Sequence, residues 1–169
     1  MRNQKGFTLI ELIIVIVVLG ILAVTAAPQF INFSSDARAS ALKGMEGSIK
    51  GAMQLTYSKA AIDGVEEEET DTITVKGGDV DIAYGYPQAT DAGLLSVIEG
   101  SFETNLTADW IYITDGTADP AEIFIAQSSS FSTPPADLTA FQASNCYIQF
   151  AEAADEDTAP VITVTDTDC

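Results

Sequence analysis

Apolar side chains follow one another almost without a break from residue 7 to residue 28, interrupted only by Thr8, Glu11, Gly20 and Thr25. A run of that length without strand-like alternation predicts a helix that is apolar on every side and long enough to span a bilayer. Beyond Pro28 the pattern narrows to a stripe. Leu42, Met45, Ile49, Ala52 or Met53, Thr56 and Ala60 recur at spacings of three and four, which predicts an amphipathic continuation over 29–61 with one face packed on a sheet. After Ile62 short alternating segments with turn residues take over. Segments 72–75 and 80–83, joined through Gly77 and Gly78, predict a hairpin, and 91–99, with an acidic start, predicts a short helix. Four more strands are predicted at 110–114, 123–126, 146–150 and 161–164. A long N-terminal α-helix followed by an antiparallel β-sheet is an α+β arrangement, with one globular domain over 62–169.

Glycine and proline modify this picture in two places. Gly20 and Pro28 make 20–28 the weakest part of the long helix, because proline lacks an amide donor and glycine loses backbone entropy. For an isolated subunit the expectation is a mild kink in an otherwise intact helix. Gly44, Gly47 and Gly51 each weaken the amphipathic part by about 1 kcal/mol relative to Ala, which predicts close approach of another backbone, from the sheet or from another subunit.

The charge is lopsided. The 169-residue chain has a formal net charge of -18, its seven basic residues all lie at or before Lys76, and 77–169 carries sixteen carboxylates with no Lys or Arg. Such a surface repels phosphates and anionic headgroups, which argues against a nucleic-acid partner. Arg38, Lys43, Lys50 and Lys59 surround the polar sides of the amphipathic helix, either solvated or paired with acidic neighbours in an assembly.

Candidate chemistry is sparse. The absence of histidine removes Ser-His-Asp and Cys-His nucleophile systems and most zinc sites, so no catalytic residues, metal site or cofactor are assigned, and no enzyme is expected. Cys146 and Cys169 suit one disulfide in an exported protein, with two buried free thiols as the alternative. Asp79 with Asp81, or Asp155, Glu156 and Asp157, offer oxygen ligands for calcium, but their spacing matches no calcium loop and their default is a solvated surface. Tyr84, Tyr86 and Trp110 form either a sugar platform or ordinary packing. The Ser-rich stretch 128–135 reads as an exposed connection.

Glu11 is the informative exception in the apolar run. A carboxylate at that depth in hydrocarbon costs roughly 2.5 kcal/mol or more and calls for a partner. Cutting the chain after Gly6 would free the amino group of Phe7 about one helical turn from Glu11. Met1-Arg2-Asn3-Gln4-Lys5-Gly6, followed by Phe7-Thr8-Leu9-Ile10-Glu11 and an apolar stretch, resembles the type IV pilins. That resemblance implies a cleaved leader at 1–6, an apolar transmembrane and assembly helix at 7–28, and the long-helix-on-sheet pilin fold with a C-terminal disulfide loop. It also implies cutting between Gly6 and Phe7, with N-methylation of Phe7, by a prepilin peptidase and N-methyltransferase. Phe7, Glu11, Gly20 and Pro28 are then the assembly residues, with loss of helicity around Gly20 and Pro28 on assembly. Three stretches, 21–28, 57–62 and 84–90, resemble the mannose-sensitive haemagglutinin (MSHA) branch.

The resemblance further implies a major subunit of a type IV pilus, a homo-oligomeric fibre for adhesion and biofilm formation. Its location would be the inner membrane, as a single-pass protein beside the pilus assembly machinery, and then the extracellular fibre. Two other readings remain at this point. One is a pseudopilin of a type II secretion system. The other is a secreted binding domain with a conventional signal peptide, for which Val24-Thr25-Ala26 would serve as the cut.

Overall fold

The computed structural model describes residues 7–169, with the backbone alone at 26–32. Its first element is α1, Leu9–Asp63, which remains helical through Gly20 and Pro28. The chain divides into two compact units, Met1–Ala37 and Arg38–Cys169. In the first, the described large apolar side chains, from Phe7 to Val24, are exposed. The bilayer-spanning helix expected over 7–28 is not confirmed: among the described residues no helix is long and apolar enough to cross a membrane.

The second unit contains the rest of α1 and two sheets. Strands β1 (Asp71–Val75), β2 (Gly78–Ala83) and β3 (Tyr86–Pro87) form a three-stranded antiparallel sheet. Strands β4 (Phe102–Glu103), β5 (Trp110–Asp115), β6 (Glu122–Gln127), β7 (Tyr147–Ala151) and β8 (Val161–Thr165) form a five-stranded sheet in that order. Its pairs are antiparallel apart from the parallel pair β4 and β5. The expected hairpin is β1 and β2, and the four expected strands are β5 to β8. The two-residue strands β3 and β4 and the short helix α2 (Leu138–Gln142) were not expected, since elements this short leave no periodicity to read. The short helix predicted over 91–99 begins as a π-helical turn at Asp91–Leu95, capped by Thr90, whose side chain accepts the amide of Gly93 at 2.9 Å.

The helical stripe lands as its spacing predicts. Leu42, Met45, Ile49, Ala52, Thr56 and Ala60 are all buried. The first four pack with Ile123 and Ile125 of β6, Ile148 and Phe150 of β7, Leu94, Ile98 and both cysteines. Ala60 closes a second cluster with Ile73, Val80 and Ile82 of the smaller sheet. Strand β6 is buried on both faces, because Phe124 and Ala126 point away from α1 into a third cluster with Ile111 and Phe141. That explains why 123–126 is continuously apolar where a one-sided strand would alternate.

The glycines of α1 do not serve the sheet. A Cβ added at Gly44, Gly47 or Gly51 would meet nothing within 4 Å, so the close approach expected there is not made within this subunit. Glycine does matter at the β2–β3 turn, where Tyr84 and Gly85 have φ of 47° and 78°, the paired positive values of a two-residue hairpin loop. A Cβ at Gly85 would lie 2.9 Å from the Tyr57 ring.

Candidate processing and assembly site

The head of α1 is a reciprocal capping box. Thr8 Oγ1 accepts the amide of Glu11 at 3.3 Å, and Glu11 Oε2 accepts the amide and the hydroxyl of Thr8, each at 2.7 Å. Two otherwise orphaned amides at the helix start are thereby satisfied. Within the chain the Glu11 carboxylate thus already has donors, all from Thr8. The Thr-x-x-Glu spacing that announces such a box was present in the sequence. The box turns the carboxylate toward the end of the helix that holds Phe7, which is 89% exposed. Gly6 and the leader lie outside the described residues, as does the side chain of Pro28. Farther along, a Cβ at Gly20 would meet nothing within 4 Å. Thr25 Oγ1 donates back to the Leu22 carbonyl at 3.0 Å, a bond that favours helix bending.

At the other end of the chain Cys146 and Cys169 form a disulfide across a sequence separation of 23, with Cα atoms 4.8 Å apart. Around it the C-terminus is tied to α1. Arg38 Nε donates to the Cys169 carbonyl at 2.6 Å, and Lys43 pairs with Asp166 at 3.3 Å. Asp168 donates its amide to the Asn145 carbonyl, while Asn145 Nδ2 donates to the Asp168 carboxylate at 2.7 Å. Sequence reasoning placed Arg38 and Lys43 on a charged face without their partners, because those partners are more than a hundred residues away in the chain.

The remaining candidates are occupied in ordinary ways. Asp79 accepts from Thr74 and Asp81 from Thr72, both across the β1–β2 pair. Asp155 accepts the amide of Asp157 in its own loop, and among the described residues no group of three or more acidic or cysteine side chains converges to hold a metal. Tyr86 stacks on Tyr57 with ring centroids 4.8 Å apart, and Trp110 packs against the main core. Tyr84 titrates above its usual range, chiefly through burial, with the charges of Glu69, Asp155 and Glu156 adding to it.

A long helix with an apolar, capped head, whose second half packs on a disulfide-closed sheet domain, is the long-helix-on-sheet arrangement of the pilin fold. The comparisons agree with that geometry. Residues 1–27 match the prokaryotic N-terminal methylation motif. A fimbrial protein of Moraxella nonliquefaciens is 34% identical over 113 residues, covering 64% of this chain and 73% of that protein. One from Dichelobacter nodosus is 35% identical over 107 residues, covering 62% and 59%. The chain belongs to the type IV pilin family. The type II secretion system core protein G of Pseudomonas aeruginosa is also similar, at 41% over 54 residues, covering 32% of this chain and 38% of that protein. The chain spans 39% of the length of a fimbrial protein of Eikenella corrodens and 40% of a type IV major fimbrial protein of Dichelobacter nodosus. No solved structure matches. The fimbrial relatives carry the names of structural proteins and not of enzymes.

Proposed function

We propose that this chain is a major pilin of a type IV pilus. It is held by its N-terminal helix in the inner membrane, cut between Gly6 and Phe7, methylated on Phe7 by a prepilin peptidase and N-methyltransferase, and polymerised by the assembly machinery into a surface fibre. The observation that carries this reading is the head of α1: a capped carboxylate, Glu11, one turn inside a helix whose large apolar side chains are left uncovered. A surface of that kind is stable only when a bilayer or other copies bury it. Cutting before Phe7 leaves an ammonium next to Thr8, beside the carboxylate that the box already holds, and a neighbouring copy's Glu11 can take the same cation. The pair then sets the register between helices in the fibre core, where an unpaired charge would be costly.

The likeness of 21–28, 57–62 and 84–90 to the MSHA branch supports a fibre for adhesion and biofilm formation. A pseudopilin is the second reading, favoured by the similarity to core protein G. The disulfide-tied C-terminus argues for the pilus. Mass spectrometry of filaments sheared from cells decides between them, with this chain as the main component expected. Finding Phe7 as the first residue of the exported protein eliminates a conventional signal peptide.

A further inference from the structure

Four of the described cations are committed within the subunit. Arg38 donates to the Cys169 carbonyl, Lys43 pairs with Asp166, Lys50 with Glu46, and Lys59 with Asp63. Lys76, exposed in the turn between β1 and β2, makes no ion pair among the described residues. It lines a cavity of about 340 Å³ whose apolar walls come from Leu55 of α1, Val75 of β1, and Val97 and Ile98 after the π-helical turn. Glu99 shares the lining but does not pair with Lys76. On the α1 side the hollow is apolar and uncovered: Leu55, which lines it, is 75% exposed. An apolar hollow with an unpaired cation at its edge matches a partner that presents an apolar side chain next to a carboxylate.

We propose that this hollow seats a second copy of the chain, which covers Leu55 and places a carboxylate on Lys76. The inference rests on the pilin reading and names one contact of its fibre. Charge complementarity selects the occupant. Residues 77–169 contribute sixteen carboxylates and no Lys or Arg, so two sheet surfaces approaching each other bring like charges together. Lys76 is the described cation without an internal partner that can relieve this. A pair formed there is partly desolvated by the apolar walls, which strengthens it relative to a surface pair and penalises any register that leaves Lys76 unmatched.

The test uses filaments grown from a mixture of isotope-labelled and unlabelled copies, treated with a zero-length carbodiimide cross-linker and analysed by mass spectrometry. Lys76 should be joined to Asp or Glu of a copy with the other label. Its reactivity toward an amine acylating reagent should fall about tenfold from detergent-dispersed subunit to filament. Lys76→Glu should keep the dispersed subunit's circular dichroism and lose most filaments, while Lys76→Arg should retain them. Cross-links confined to one label, equal Lys76 reactivity in both states, or protection only by phosphatidylglycerol vesicles would each overturn the proposal. If the wild-type chain forms no filament at all, the pilin reading itself fails and this contact falls with it.

Discussion

Arg38 Nε donates to the carbonyl oxygen of Cys169 at 2.6 Å, joining positions 131 residues apart. With the disulfide, this bond ties the chain end both to the strand that follows Cys146 and to α1. The Lys43–Asp166 pair and the Asn145–Asp168 bonds add to these two ties, so loosening the disulfide or the Arg38 bond weakens, without abolishing, the hold on the stretch after β8.

Replacing either Cys146 or Cys169 by Ser should lower the subunit's stability by about 2–5 kcal/mol, because the open chain gains loop entropy. Arg38→Ala should cost less, about 1–3 kcal/mol, by removing one charge-assisted bond to a partly buried carbonyl. Urea titrations measure both, and limited proteolysis should show new cleavage near Val161 in the cysteine variants. If unreduced wild-type protein reacts with a thiol reagent after denaturation, the bridge is absent.

Glu11→Val makes the apolar run more hydrophobic, so membrane insertion should be retained or improved. Filament assembly should nevertheless fail or slow greatly, since Phe7 of an incoming copy loses its partner. Thr8→Ala removes only the cap, at about 1 kcal/mol, and should fray the first turn with a smaller loss of filaments. Electron microscopy counts the filaments, and normal numbers for Glu11→Val would refute the pairing.

Gly6→Val should leave full-length precursor in the membrane fraction, because a side chain on the leaving side of the cut obstructs the peptidase's approach to the backbone. Immunoblotting of fractionated cells resolves precursor from mature chain. Mature chain of normal length in this variant would contradict the processing assignment.

Gly51→Ala should stabilise the dispersed subunit by about 0.5–1 kcal/mol, since the helix gains propensity and the new Cβ meets nothing within 4 Å. The same change should reduce filament yield if another copy packs closely on that face. Thermal unfolding and shearing assays read the two effects separately, and a drop in thermal stability would show that the face is not open.

Asp115 in the turn after β5 accepts the hydroxyl and amide of Thr117 at 2.6 and 3.0 Å. Those bonds, the side-chain one first, hold its carboxyl below the usual range. The sign follows from which state binds the proton more weakly. The folded chain holds the proton less tightly than the unfolded one, so the contribution is complete above about pH 4 and is lost as pH falls through the lower folded value. The Thr117 amide shift followed by NMR should report that titration, and Asp115→Asn should abolish it.

The elements that the sequence determined unaided are those written in local periodicity. The spacing from Leu42 to Ala60 marks the face that α1 buries, and the alternation or continuity of short apolar runs marks β1, β2 and β5 to β8, because burial on one side or two imposes a pattern within a few residues. The head of α1 was equally local. Thr8 and Glu11 stand three residues apart, a spacing that reads as a capping box when the carboxylate is set against its own helix end as well as against hydrocarbon. What the tertiary structure alone decided depends on where the chain returns. The division into two sheets, the hold of Arg38 on Cys169 and of Lys43 on Asp166, and the lack of such a partner for Lys76 all involve groups far apart in sequence or settled by the whole path of the chain. A side chain's identity states what partner it can take, and only the folded path brings that partner within reach.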